Sequence, residues 1–136
     1  MKDNVFALMV HDHPEHFKEL EGMLKDLSVE TWNIGDSNLA GEMTSRYKPD
    51  LVFIELSVWD RLHHQLAGLA RKADRAVGII VVGTKLDIER YVSSIEQGAV
   101  GYIAPPFTFG GLNMIVHSAA MDGHVHPEAM AQALAV

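Results

Sequence analysis

The chain has no cysteine among its 136 residues, and this absence removes several kinds of chemistry at once. It excludes disulfide bonds, thiolate metal sites and cysteine nucleophiles. The chain also lacks an apolar run approaching the roughly 20 residues that cross a bilayer, so we expect no contact with a membrane. No basic stretch followed by an apolar one stands near the N-terminus, which predicts no signal peptide and a cytoplasmic location.

Positive charge is scarce in this chain. Eleven lysines and arginines stand against 18 aspartates and glutamates, which gives a formal net charge of −7. This excess of negative charge argues against a surface that binds the phosphate backbone of a nucleic acid, so we expect no nucleic-acid binding by this domain itself. The length and the 48% hydrophobic content predict one globular domain with a single core.

Short apolar runs alternate with amphipathic segments along the chain. The runs predict five strands, at residues 5–10, 29–34, 51–56, 77–82 and 100–104. The segments predict five helices, at residues 14–27, 39–47, 62–73, 88–95 and 112–119. Fivefold strand–helix alternation predicts an α/β fold with a single doubly wound parallel sheet. We assign residues 1–122 to this domain and residues 123–136 to a C-terminal helix or the start of a linker to a possible output domain.

Polar or turn-forming residues stand at the carboxyl ends of four of the predicted strands. In chain order they are His11-Asp12-His13, Glu55, Gly83-Thr84 and Pro105-Pro106. Open α/β sheets bind their ligands outside the carboxyl ends of the strands, so we place the candidate site among these residues.

Three segments resemble the receiver domain of two-component response regulators. They read VHDHP at residues 10–14, PDLVFIE at 49–55 and GAVGYIAPPF at 98–107, and the resemblance covers residues 4–121. It implies a flavodoxin-like strand order 2-1-3-4-5 and a cis peptide bond between Pro105 and Pro106. Residues 123–128 resemble, more weakly, the passage toward a helix-turn-helix output domain, which implies a transcription regulator.

Receivers use an aspartate after the third strand as phosphoryl acceptor and two acids after the first strand as Mg²⁺ ligands. A threonine or serine after the fourth strand and a lysine after the fifth bind the phosphoryl oxygens. This chain departs from that pattern at nearly every place. Glu55 stands where the acceptor is, and His11 takes the first acidic place, which leaves only Asp12.

The remaining phosphoryl-binding places are altered as well. Gly83 takes the hydroxyl place with Thr84 one residue late, and Pro105 takes the place of the lysine. Tyr102 keeps the place of the aromatic residue that changes rotamer in receivers. Phosphoryl transfer depends on positioning and charge neutralisation, so we predict a degenerate pseudo-receiver that is not phosphorylated and is not an enzyme. Its degenerate pocket comprises His11, Asp12, Glu55, Gly83, Thr84 and Pro105.

Two alternatives concern this pocket. Glu55 either mimics a phosphorylated aspartate or is a partly solvated carboxylate in a decayed pocket, and we favour the second. His11, Asp12 and His13 suggest a transition-metal site with Glu55 as fourth ligand. Adjacent residues at a strand end point in opposite directions, so we predict no metal site, no cofactor and no catalytic residue. A small-molecule or metal-ion sensor that uses the pocket is the alternative function.

We expect the domain to act through protein contacts. The surface that the resemblance indicates is formed by the predicted fourth helix, fifth strand and fifth helix, and it predicts a homodimer. Tyr102 is expected near this contact face, with Tyr91 and Leu112 as exposed apolar neighbours. In the predicted third helix, we expect Asp60 to cap the helix before Arg61.

Overall fold

A computed structural model describes residues 5–72 and 77–122. Its strands are β1 (Val5–Val10), β2 (Val29–Ile34), β3 (Leu51–Glu55), β4 (Gly78–Val82) and β5 (Gly101–Ile103). All neighbouring strands pair in parallel in the order β2-β1-β3-β4-β5, so the predicted sheet is confirmed. Each predicted strand boundary lies within one residue of the observed one.

Five α-helices connect and follow these strands. They are α1 (Lys18–Asp26), α2 (Ala40–Tyr47), α3 (Leu56–Lys72), α4 (Ile88–Glu96) and α5 (Phe109–Asp122). Short 3-10 turns at Pro14–Phe17 and Ser37–Leu39 lead into α1 and α2. Asp87 caps α4 by accepting a hydrogen bond from the Arg90 amide, and Gly98 follows that helix with φ +112°, which glycine tolerates. The predicted segment 123–136 lies outside the described residues.

Successive side chains along each strand point to opposite faces of the sheet, so the protein has two separate hydrophobic cores. Leu51 and Phe53 face one side of the sheet, whereas Val52 and Ile54 face the other. The first core includes apolar residues of α1 and α5, and the second includes residues of α2 and α3. Because both faces are covered, the central strands are apolar throughout, as in other doubly wound sheets.

The junction between β3 and α3 differs from the prediction. The helix begins at Leu56 with no intervening loop, because Val58 and Trp59 are fully buried and dock its first turn on the core. The prediction that Asp60 caps the helix was therefore wrong, since Asp60 lies inside α3 and its carboxylate pairs with Arg90 of α4. The peptide bond between Pro105 and Pro106 is cis, as predicted. Within residues 5–72 and 77–122, no helix combines the length and apolarity needed to cross a membrane.

Candidate functional site

Glu55 lies at the centre of the strand ends, with its carboxylate saturated by hydrogen bonds. It follows Ile54 and shares the face of Phe53, so its side chain points toward the loop after β1. Oε1 accepts hydrogen bonds from the backbone amides of Asp12 (2.8 Å) and His13 (3.1 Å). Oε2 lies 2.9 Å from Nδ1 of His13 and 3.0 Å from Nδ1 of His16. An ionised carboxylate only accepts, so both Nδ1 atoms carry the proton and donate.

The charge of Glu55 is stabilised by these donors. Burial by itself raises the pKa of Glu55, but the hydrogen bonds from the Asp12 amide and the two imidazoles outweigh it and lower the pKa below 4.5. The hydrogen bond from His13 to the Glu55 carboxylate, together with the negative charge of that carboxylate, raises the pKa of His13 above its ordinary value of 6.5. The Glu55 side chain is only 7% exposed, so its negative charge is largely buried.

His11 and Asp12 turn away from Glu55 in opposite directions, as adjacent residues at a strand end do. The His11 ring packs against Phe17, and its Nε2 lies 2.8 Å from the side-chain oxygen of Asn33 in β2. Asp12 instead accepts hydrogen bonds from the Ser37 hydroxyl (2.7 Å) and from Arg61 (3.1 Å).

The environment of Asp12 keeps its carboxylate ionised. The Ser37 hydroxyl lowers the pKa of Asp12, burial opposes this, and Arg61 reinforces the lowering. The carboxylate that a receiver would aim at a metal ion beside residue 55 is thus engaged on the side of α2 and α3.

A cavity of about 260 Å³ opens beside Glu55. Its lining consists of His13, His16, Glu55, Leu56, Ser57, Asp60, Val82, Gly83 and Thr84. Of the residues that the sequence assigns to the pocket, Glu55, Gly83 and Thr84 line this cavity, whereas His11, Asp12 and Pro105 do not. None of the described residues in the lining is a lysine or arginine, so the cavity presents no permanent cation to a phosphoryl group.

Tyr102 occupies the space that a side chain at position 83 would need. Its ring is 1% exposed, and its hydroxyl donates a hydrogen bond to the backbone carbonyl of Lys85 (2.9 Å). A Cβ on Gly83 would lie 2.7 Å from the ring carbon Cζ of Tyr102. Burial, with the nearby charge of Asp87, raises the pKa of Tyr102 above 10.0. Because the buried Tyr102 ring fills this space, a hydroxyl-bearing side chain at position 83 would require Tyr102 to leave its position.

Sequence reasoning missed His16, which contributes one of the four donors to Glu55. Its signal in the sequence is the spacing His13-Pro14-Glu15-His16, which places two imidazoles on one side of a helical turn. The ring centroids of His13 and His16 are 5.2 Å apart. Sequence reasoning also missed Arg61 and Ser37, because their approach to Asp12 depends on how α2 and α3 pack together.

Comparisons with known proteins bear on the fold and the sequence of this chain. No family model matches the chain. A curated relative, the DNA-binding response regulator MtrA of Mycolicibacterium smegmatis, is 30% identical over 100 residues, which cover 74% of this chain and 43% of that protein. A response regulator from Thermotoga maritima superposes with a TM-score of 0.73 at 18% identity, over 88% of this chain and 99% of that one. The receiver domain of the response regulator NarL from Mycobacterium tuberculosis gives a TM-score of 0.73 at 18% identity, over 89% of this chain and 99% of that one.

The five-stranded sheet with helices on both faces defines the class as a flavodoxin-like receiver fold. The sequence similarity to MtrA and this shared fold make the chain similar to the receiver domains of response regulators. The chain spans less than half the length of the curated relative that it matches.

Proposed function

We propose that this receiver domain serves two-component signal transduction through protein contacts and is not controlled by phosphorylation of its pocket. The main support for the proposal is the hydrogen bonding and burial of the Glu55 carboxylate. Both of its carboxylate oxygens accept two hydrogen bonds each, and the side chain is nearly buried. A phosphoryl acceptor needs a free oxygen, a metal ion and fixed cations to neutralise the developing charge.

The altered neighbours support the same proposal. Asp12 is engaged by Ser37 and Arg61, and Pro105 supplies no cation. Tyr102 fills the space beside Gly83, where receivers carry a hydroxyl side chain. We therefore propose a pseudo-receiver without enzymatic activity, in which Glu55 is a structural carboxylate that holds the loop after β1.

The proposed cellular role is inferred from the curated relative. MtrA of Mycolicibacterium smegmatis is a DNA-binding response regulator. We propose that a DNA-binding output domain accompanies this receiver in the full-length protein, which would then regulate transcription in the cytoplasm. The receiver itself, with a net charge of −7 for the chain, is not proposed to bind nucleic acid.

The proposed contact surface is the apolar face of α4, formed by Ile88, Val92 and Ile95. These side chains stand at helical spacing and are 62%, 45% and 37% exposed. An exposed apolar stripe on a negatively charged domain favours a specific partner surface, and a second copy in a two-fold contact is the default for a homodimer. The expectation that Leu112 is exposed was wrong, since it is 2% exposed in the core. The Tyr102 side chain is 1% exposed, so it does not itself supply contact area.

Sedimentation equilibrium across a concentration series tests this proposal. Wild type should dimerise, and Val92→Glu should weaken the dimer by at least about tenfold, because a charge would be buried in the contact. Leu39→Glu is the matched control, since Leu39 is similarly exposed (43%) but precedes α2. Acetyl phosphate with Mg²⁺ should leave the dimer constant of wild type unchanged. A dimer that forms only with the phosphoryl donor, or a strict monomer, would contradict the proposal.

A further inference from the structure

We propose that His13, His16 and Glu55 form a binding site for one divalent transition-metal ion, with Zn²⁺ as the best match. One ligand atom from each of the three residues lies within 4.8 Å of the other two. The sequence predicted no metal site because only His11, Asp12 and His13 were considered with Glu55; the structure turns His11 and Asp12 away and adds His16. The proposal concerns binding by the domain alone, and signalling through protein contacts does not require it.

The donor atoms converge as metal ligands do. Nδ1 of His13 and Nδ1 of His16 both approach the same carboxylate oxygen, Oε2 of Glu55, at 2.9 and 3.0 Å. Zinc lies about 2.0–2.2 Å from nitrogen and oxygen ligands, which sets tetrahedral donors roughly 3.4 Å apart. The two nitrogen–oxygen separations therefore need to lengthen by only about 0.4–0.5 Å to admit the ion. Each neutral imidazole must also move its proton from Nδ1 to Nε2, so that Nδ1 is free to bind the metal.

Glu55 is already oriented for this role. Its other oxygen, Oε1, is fixed by the backbone amides of Asp12 and His13 at 2.8 and 3.1 Å. Metal-binding carboxylates are commonly held by such second hydrogen bonds, which leave the remaining oxygen directed at the ion. The exposed side chains of His13 and His16, 53% and 42% exposed, give the ion access from solvent.

The ligand set selects the class of metal. Two imidazoles and one carboxylate suit zinc and its neighbours, whereas Mg²⁺ and Ca²⁺ require mostly oxygen ligands. Asp12, the nearby acid that would favour Mg²⁺, is directed at Ser37 and Arg61 instead. The cavity of about 260 Å³ beside the three residues leaves room for water or another small ligand in the fourth position.

Calorimetric titration of the chelator-treated full chain with Zn²⁺ tests the site, with Co²⁺ absorption as a report on coordination geometry. We expect one Zn²⁺ per chain, visible Co²⁺ bands of a tetrahedral site, and no comparable binding of Mg²⁺. His13→Ala and His16→Ala should each lower the Zn²⁺ affinity by at least about 10–100-fold, since even residues that only orient ligands have effects of that size. Circular dichroism checks that both variants fold.

The pair His63 and His64 provides the matched control. These adjacent histidines of α3 have ring centroids 4.2 Å apart and do not line the cavity. The double variant His63→Ala/His64→Ala should bind Zn²⁺ as wild type does. Absence of one-to-one Zn²⁺ binding, or binding that survives His13→Ala/His16→Ala, would overturn the assignment.

Discussion

Gly83→Ala should perturb this domain far more than a single methyl group suggests. A Cβ at position 83 would lie well inside contact distance of the Tyr102 hydroxyl and 2.7 Å from Cζ. The ring must therefore leave its buried position, or the backbone of β4 must move. Overpacking of this kind costs about 1–3 kcal/mol, and loss of the hydrogen bond from Tyr102 to Lys85 adds about 0.5–1.5 kcal/mol.

We therefore expect Gly83→Ala to lower the free energy of unfolding by about 2–4 kcal/mol, measured by urea titration with circular dichroism. Gly22→Ala is the control, since no atom lies within 4 Å of a Cβ there. Gly22 is in the interior of α1, so alanine should stabilise by about 0.5–1 kcal/mol.

A double-variant cycle isolates the contact between the two positions. With Tyr102→Leu the obstructing ring is absent, so Gly83→Ala in that background should cost close to nothing. Equal costs of Gly83→Ala with and without the tyrosine would refute the claim that Tyr102 occupies the space at position 83.

Two further predictions concern buried and exposed polar groups. Asp50 is buried and accepts a hydrogen bond from the Phe6 amide at 2.8 Å, so Asp50→Ala should lower the free energy of unfolding by about 1–3 kcal/mol. Arg61→Ala removes an exposed ion pair with Asp12 and should lower it by only about 0–1 kcal/mol. Urea titration measures both. The pKa of Tyr102 is raised above 10.0, so its contribution to stability is present below pH 10 and is lost as pH rises through the folded pKa. Stability of wild type should therefore fall more steeply above pH 10 than that of Tyr102→Phe, and parallel pH profiles would contradict this.

The fold could be predicted from the sequence because its signals are local and repeated. The run Leu51-Val52-Phe53-Ile54 is apolar on both faces, which is typical of a central parallel strand. Such runs recur between amphipathic helices, so the architecture follows from chain order. The start of α3 at Leu56 was missed because a helix that follows a strand without a loop has no turn residues to mark it.

The site was predictable in position but not in its contacts. Alternation at the end of β1 explains why His11 and Asp12 diverge, and the sequence already indicated this. The convergence of His13 and His16 on Glu55 depends on the turn at Pro14–Phe17 and on the neighbouring position of β1 and β3. The burial of Tyr102 depends on the pairing of β4 with β5, which brings its ring over Gly83, and no local pattern carries that information.

Intact mass after incubation with acetyl phosphate and Mg²⁺ tests the central claim most directly. Because Glu55 is held by four donors and the cavity lining lacks lysine and arginine in the described part of the chain, we expect the mass to stay unchanged. A known receiver that is phosphorylated under the same conditions serves as the positive control. Addition of one phosphoryl group that disappears in Glu55→Gln would contradict the account.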